Sequence, residues 1–146
     1  MEGAIPGMVG VDHVGFNVPD LEQALAFFID VLGCELLDRQ ARGPFSGASD
    51  TTVEVAMLRY DPHTVFELLE FHGPDMDQTY PGMTGTGGYH LALTVADLDA
   101  ALTFLRSHGI DLVEAPPLPS GRRRAFFRAP WGMNLQIITA AEDAMY

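Results

Sequence analysis

Val11–Phe28 reads VDHVGFNVPDLEQALAFF, and Gly88–Leu105 reads GYHLALTVADLDAALTFL. Setting His13 on His90, an offset of 77 residues (90 minus 13), pairs Val18 with Val95, Asp20 with Asp97, Leu21 with Leu98, Ala24 with Ala101, Leu25 with Leu102 and Phe27 with Phe104. Further along, GCELL (33–37) echoes GIDLV (109–113), and VFELL (65–69) resembles NLQII (134–138). The echoes keep their order, so the chain reads as one small unit written twice.

Each copy has the same local grammar. Residues 9–18 alternate as a strand does, and Asp20 then offers an N-cap with Gln23 three residues on as its capping-box partner. Leu21, Ala24, Leu25, Phe28 and Leu32 follow helical spacing, and Gly33 supplies the stop. The second copy predicts a strand over 87–96, a cap at Asp97, a stripe of Leu98, Ala101, Leu102 and Leu105, and a stop at Gly109. Further strands are predicted over 34–39, 52–60, 64–71, 110–115, 122–129 and 133–139. The expectation is an α+β fold of two tandem βαβββ modules, at about 9–72 and 87–140, joined by a Pro- and Gly-rich linker at 73–86. Neither module can bury both faces of its sheet alone. One domain over 1–146 is therefore expected, a curved mixed sheet with helices outside and a pseudo-twofold cavity within.

Composition narrows the function. Of the 146 residues, 47% are hydrophobic and 19% charged, a globular balance. No apolar run nears the roughly eighteen residues of a membrane span. The N-terminus has no basic region of the secretory kind, and the single Cys34 allows no internal disulfide, so a cytoplasmic protein is expected. A net charge of −12 would repel a phosphate backbone, and the one basic cluster, Arg122–Arg124, lacks an aromatic ladder. Nucleic-acid and membrane partners are excluded on these grounds, leaving a small molecule. One face of that cluster could meet an anionic substrate, although solvated charges are the simpler reading. Phe45, Tyr89 and Trp131 are candidate pocket edges.

Strand alternation sorts the polar residues. His13, Gly15 and Asn17 share one face of the first strand, and His90, Ala92 and Thr94 share one face of its copy. Those faces are small and polar, as a cavity lining is. Glu67 sits in the apolar run TVFELLEF, where a carboxylate is costly unless paired or bound to a metal. Its counterpart in MNLQIIT is Gln136. Pseudo-symmetry would bring His13, Glu67, His90 and Gln136 together. His63, His72 and His108 have no counterparts and read as turn or surface residues.

The segments DHVGFNVPDLEQALAFFIDVLGCELL, VFELLEF, GYHLALTVADLDAALTFL and RAFFRAPWGMNLQII resemble those of the vicinal oxygen chelate superfamily, the glyoxalase, bleomycin-resistance and extradiol-dioxygenase group. The resemblance covers about Val9 to Thr139. It implies paired βαβββ modules, a homodimer, and a divalent ion (Zn, Ni, Co, Mn or Fe(II)) held by His13, Glu67, His90 and Gln136. Gln136 departs from the commoner Glu, so Glu67 is left as the general base. Read from the second copy, the order His90, Gln136, His13, Glu67 is similar to the set of methylmalonyl-CoA epimerases. The resemblance thus implies a metal-dependent lyase or isomerase of the glyoxalase I/epimerase type, moving a proton beside a carbonyl through an enediolate. The alternatives are an Fe(II) extradiol-type dioxygenase, for which His13, His90 and Glu67 supply two imidazoles and a carboxylate, or a drug-binding or thiol-transferase resistance protein.

Overall fold

The computed structural model describes residues 5–44, 50–74 and 76–141. Phe45 lies outside them. The chain divides into two compact units, Met1–Gln78 and Thr79–Tyr146.

The first unit runs β1 (Val14–Asn17), α1 (Leu21–Ala26), β2 (Glu35–Arg42), β3 (Thr52–Asp61) and β4 (Thr64–His72), and the second β5 (Leu91–Val95), α2 (Leu98–Ser107), β6 (Leu112–Ala115), β7 (Arg124–Arg128) and β8 (Asn134–Thr139). The sheets are ordered β1-β4-β3-β2 and β5-β8-β7-β6. In each, the first strand pairs in parallel with the last and the other pairings are antiparallel. The duplicated α+β architecture is therefore present. β1 and β5 are shorter than alternation predicts, and the histidines lie just outside them.

Both helix starts follow from the caps. Oδ1 of Asp20 accepts from the Gln23 amide at 2.8 Å, and Oδ1 of Asp97 from the Ala100 amide at 3.0 Å, each satisfying one amide that the helix leaves unpaired. The stops differ. Gly109 takes φ 73°, with Ile110 N–H donating to Leu105 and Gly109 N–H to Arg106, a Schellman closure that only a residue tolerating left-handed backbone makes cheaply. In the first unit, Gly33 takes φ 76°, but the helix first widens to a π turn over Phe27–Val31. The cause is countable: from N-cap to stop glycine is 13 residues in the first copy (33 minus 20) and 12 in the second (109 minus 97). The surplus residue is taken up as a wider turn, where the sequence pattern alone predicts an unbroken α-helix.

The helix-facing sides of the sheets carry the core. Phe16, Phe28 and Phe66 form a ring cluster with centroids 5.7–6.1 Å apart, beside the fully buried Leu21, Leu58 and Leu68. In the second unit Leu98, Leu102 and Leu105 of α2 are buried, as are Leu93, Leu135 and Ile137 of the sheet.

Candidate metal centre

In the first unit Gly15 stands opposite Glu67 in the parallel β1–β4 pair, and His13 lies two residues before Gly15 on the same face. Nε2 of His13 and Oε2 of Glu67 are 3.1 Å apart. Glu67 is mostly buried, with 13% of its side chain exposed, whereas His13 is more open at 36%. A Cβ on Gly15 would meet Oε2 of Glu67 at 3.4 Å, so the glycine leaves the carboxylate its space. Behind the imidazole, Oδ2 of Asp12 is 2.7 Å from Nδ1. That hydrogen bond, reinforced by the Glu67 charge, raises the His13 pKa above the ordinary imidazole value. Arg42 reaches Oε1 of Glu67 at 3.9 Å from the other side.

The second unit repeats the register. Ala92 stands opposite Gln136 in the parallel β5–β8 pair, and His90 lies two residues before Ala92. Gln136 is buried at 6% exposure. Phe126 of β7 pairs with Gln136 in register, and its ring meets the His90 ring edge-on, with centroids 5.9 Å apart. Just before His90, the Tyr89 hydroxyl donates to that of Tyr80 at 2.8 Å, and burial pushes the Tyr89 pKa up. The four expected site residues thus fall into two pairs at equivalent register positions, His13 with Glu67 and His90 with Gln136. A cavity of about 870 Å³ opens in the second unit, with His108, Asp111, Phe126, Arg128 and Asn134 in its lining.

The donor chemistry of the first pair suits a divalent ion. Bonds of about 2.0–2.2 Å from a tetrahedral ion to nitrogen and oxygen put neighbouring donors about 3.3 Å apart. His13 and Glu67 already stand close to that spacing, and Asp12 orients the imidazole as carboxylates do behind metal-bound histidines.

A model of the Glyoxalase/Bleomycin resistance protein/Dioxygenase superfamily matches residues 12–127. The chain belongs to this superfamily. The match takes in His13, Glu67 and His90 and stops short of Gln136. Among superfamily relatives, the 2-epi-5-epi-valiolone epimerase of an Actinomyces species is 39% identical, with 97% of this chain and 85% of that protein covered. The lactoylglutathione lyase of Salmonella typhimurium is 28% identical, with 89% of this chain and 92% of that one covered. A glyoxalase family protein from Bacillus cereus has a crystal structure that superposes with a TM-score of 0.77 at 26% identity, over 94% of this chain and 97% of that one. No helix among the described residues is long and apolar enough to cross a membrane.

Two readings of the sequence change. The arginines of 122–124 are tied into the second unit rather than left as solvated charges. Arg123 forms a two-pronged pair with Asp99 of α2 at 3.0 and 3.2 Å, and Nε of the buried Arg122 donates to the Thr139 carbonyl at 2.8 Å. Arg124 extends over the Phe126 ring, 5.7 Å from its centroid. His72 is at the surface, as expected, but it ends β4 one residue beyond the predicted 64–71 rather than lying in a turn, within 3.2 Å of Glu54 and 3.7 Å of Glu70.

Proposed function

We propose that the chain is a divalent-metal-dependent epimerase or isomerase that moves a proton at a carbon next to the carbonyl of a small hydroxylated ketone. The reading rests on one observation above all. His13 and Glu67 are paired at 3.1 Å, at strand positions that recur with His90 and Gln136. His13, Glu67, His90 and Gln136 would hold the ion, with Zn, Ni, Co, Mn and Fe(II) all compatible with two imidazoles and oxygen donors. The ion would polarise the carbonyl oxygen and offset the negative charge that develops when the neighbouring C–H is broken.

The remaining chemistry belongs to the chain. Glu67 is the carboxylate among the four residues; released from the ion it would take the proton, and a solvent proton would return to the opposite face of the same carbon, whereas an amide such as Gln136 has no useful basicity near neutral pH. Asp12 holds the His13 ring in place, and Gly15 keeps the space over the carboxylate clear. The 39% identity to an epimerase acting on a ketone, beside a lyase at 28%, supports the class of reaction and the class of substrate. A cytoplasmic homodimer is the assembly that accompanies this reading.

The test is incubation of the metal-loaded protein with 2-epi-5-epi-valiolone in deuterium oxide. Deuterium entering at the carbon beside the carbonyl, with inversion there, is the expected result. Bound iron with oxygen consumption and no such exchange would replace the reading with an oxygenase.

A further inference from the structure

We propose a second divalent-cation site in the first unit, formed by Glu54, Glu70 and His72 on the helix-facing side of the sheet. Glu54 of β3 and Glu70 of β4 are direct register partners, and His72 lies two residues beyond Glu70 on the same face. Alternation puts Glu67 on the opposite face of β4, so the two groups do not share a side of the sheet. One ligand atom from each of the three residues lies within 4.8 Å of the others. Nε2 of His72 is 3.2 Å from Oε2 of Glu54 and 3.7 Å from Oε2 of Glu70, bracketing the donor spacing of about 3.3 Å around a tetrahedral ion with bonds near 2 Å.

The surroundings orient these donors. The Leu21 amide at the start of α1 donates to Oε2 of Glu70 at 3.2 Å, and Arg39 approaches Oε1 of Glu54 at 3.6 Å, leaving Oε2 turned to the histidine. Arg39, itself paired to Glu22, offsets one of the two carboxylate charges, and the other remains. A proton on Nε2 reaches Glu54 only, since 3.7 Å exceeds hydrogen-bond reach, and Oε2 of Glu70 is met by the neutral Leu21 amide instead of a positive charge. A cation between the three serves all of them. One nitrogen and two carboxylate oxygens suit a borderline ion such as Zn²⁺, with a position left for water. Bound there, the ion joins the ends of β3 and β4 beside the N-terminus of α1 and stabilises the first unit.

The experiment uses full-length, tag-free protein stripped of metal and dialysed against Zn²⁺, with metal content and thermal midpoint read together. Wild type binds two ions per chain. His72→Ala and Glu54→Gln each bind one ion with wild-type affinity, the second equivalent being weakened by more than about 100-fold, beyond the range set by losing only a supporting residue. The His13→Ala/His90→Ala double variant keeps one ion, and Zn²⁺ still raises its midpoint; adding His72→Ala removes both effects. Circular dichroism checks each variant, and Glu54→Gln stands in should His72→Ala fail to fold. Wild-type stoichiometry in both His72→Ala and Glu54→Gln, or no zinc in His13→Ala/His90→Ala, overturns the proposal. Neither result is the one that would overturn the epimerase reading, which fails on the deuterium exchange.

Discussion

Nε2 of His13 stands 3.1 Å from Oε2 of Glu67, with Asp12 bonded to the opposite ring nitrogen. A carboxylate, an imidazole and a second carboxylate thus form a line that ends on the polar face of the first sheet.

Glu67→Gln keeps the size of the side chain and removes its basicity. Turnover of a ketone substrate should fall by at least about 100-fold, the lower range for losing a general base, while the fold is retained. His13→Ala should lose the ion of the first site as well as turnover, leaving one equivalent of metal per chain. Kinetics and metal content measured on the same samples separate the two effects. Unchanged turnover in Glu67→Gln removes that residue from the role.

Asp12 touches the proposed ligand rather than the ion, so its loss should loosen binding without abolishing it. Asp12→Ala is expected to weaken the affinity of the first site for Zn²⁺ by about 10–100-fold, with Asp12→Asn between it and wild type. Competition against a chelator in the His72→Ala background measures this. Equal affinities would make the 2.7 Å contact incidental.

Gly15 tests the space over the carboxylate. Its counterpart is Ala92, and a Cβ at Gly15 would stand at ordinary contact distance from Glu67, so Gly15→Ala should fold within about 1 kcal/mol of wild type and keep its metal. Gly15→Leu drives a larger group against the same oxygen and should fall from two ions per chain to one, with the fold intact by circular dichroism. Full metal in Gly15→Leu would contradict the crowding argument.

Cys34 is buried, and that burial pushes its thiol up to about 11. The native protein should resist iodoacetamide at neutral pH and react on unfolding, as mass spectrometry of the alkylated chain would show. The sign for stability follows from linkage. The unfolded thiol ionises first as pH rises, so this residue leaves stability unchanged below the ordinary thiol range and lowers it progressively from there toward pH 11. Rapid alkylation of native protein at pH 7 would refute the burial.

Much of this was legible in the sequence because it is local or repeated. Asp20 and Asp97 cap helices, Gly33 and Gly109 end them, and the repeat predicts eight strands in the order found. Alternation and duplication predict that four residues meet, His13, Glu67, His90 and Gln136; the contact of His13 with Glu67 at 3.1 Å is the part of this seen within the first unit. What escaped depends on partners distant in the chain. That Glu54 faces Glu70 is a fact of the β3–β4 register, which no single strand encodes, so His72 read only as a turn or surface residue. Arg123 looked free because Asp99, 24 residues away, meets it only once α2 packs on its sheet.

The widened turn at Phe27–Val31 has a consequence for everything after it. A surplus residue in a helix ordinarily rotates the rest of the chain by about 100°. Here the swelling absorbs it before Gly33, and Glu67 of β4 still stands opposite Gly15 as Gln136 of β8 stands opposite Ala92. The two copies thus differ by one residue in helix length while the face of the sheet that carries Glu67 matches the face that carries Gln136.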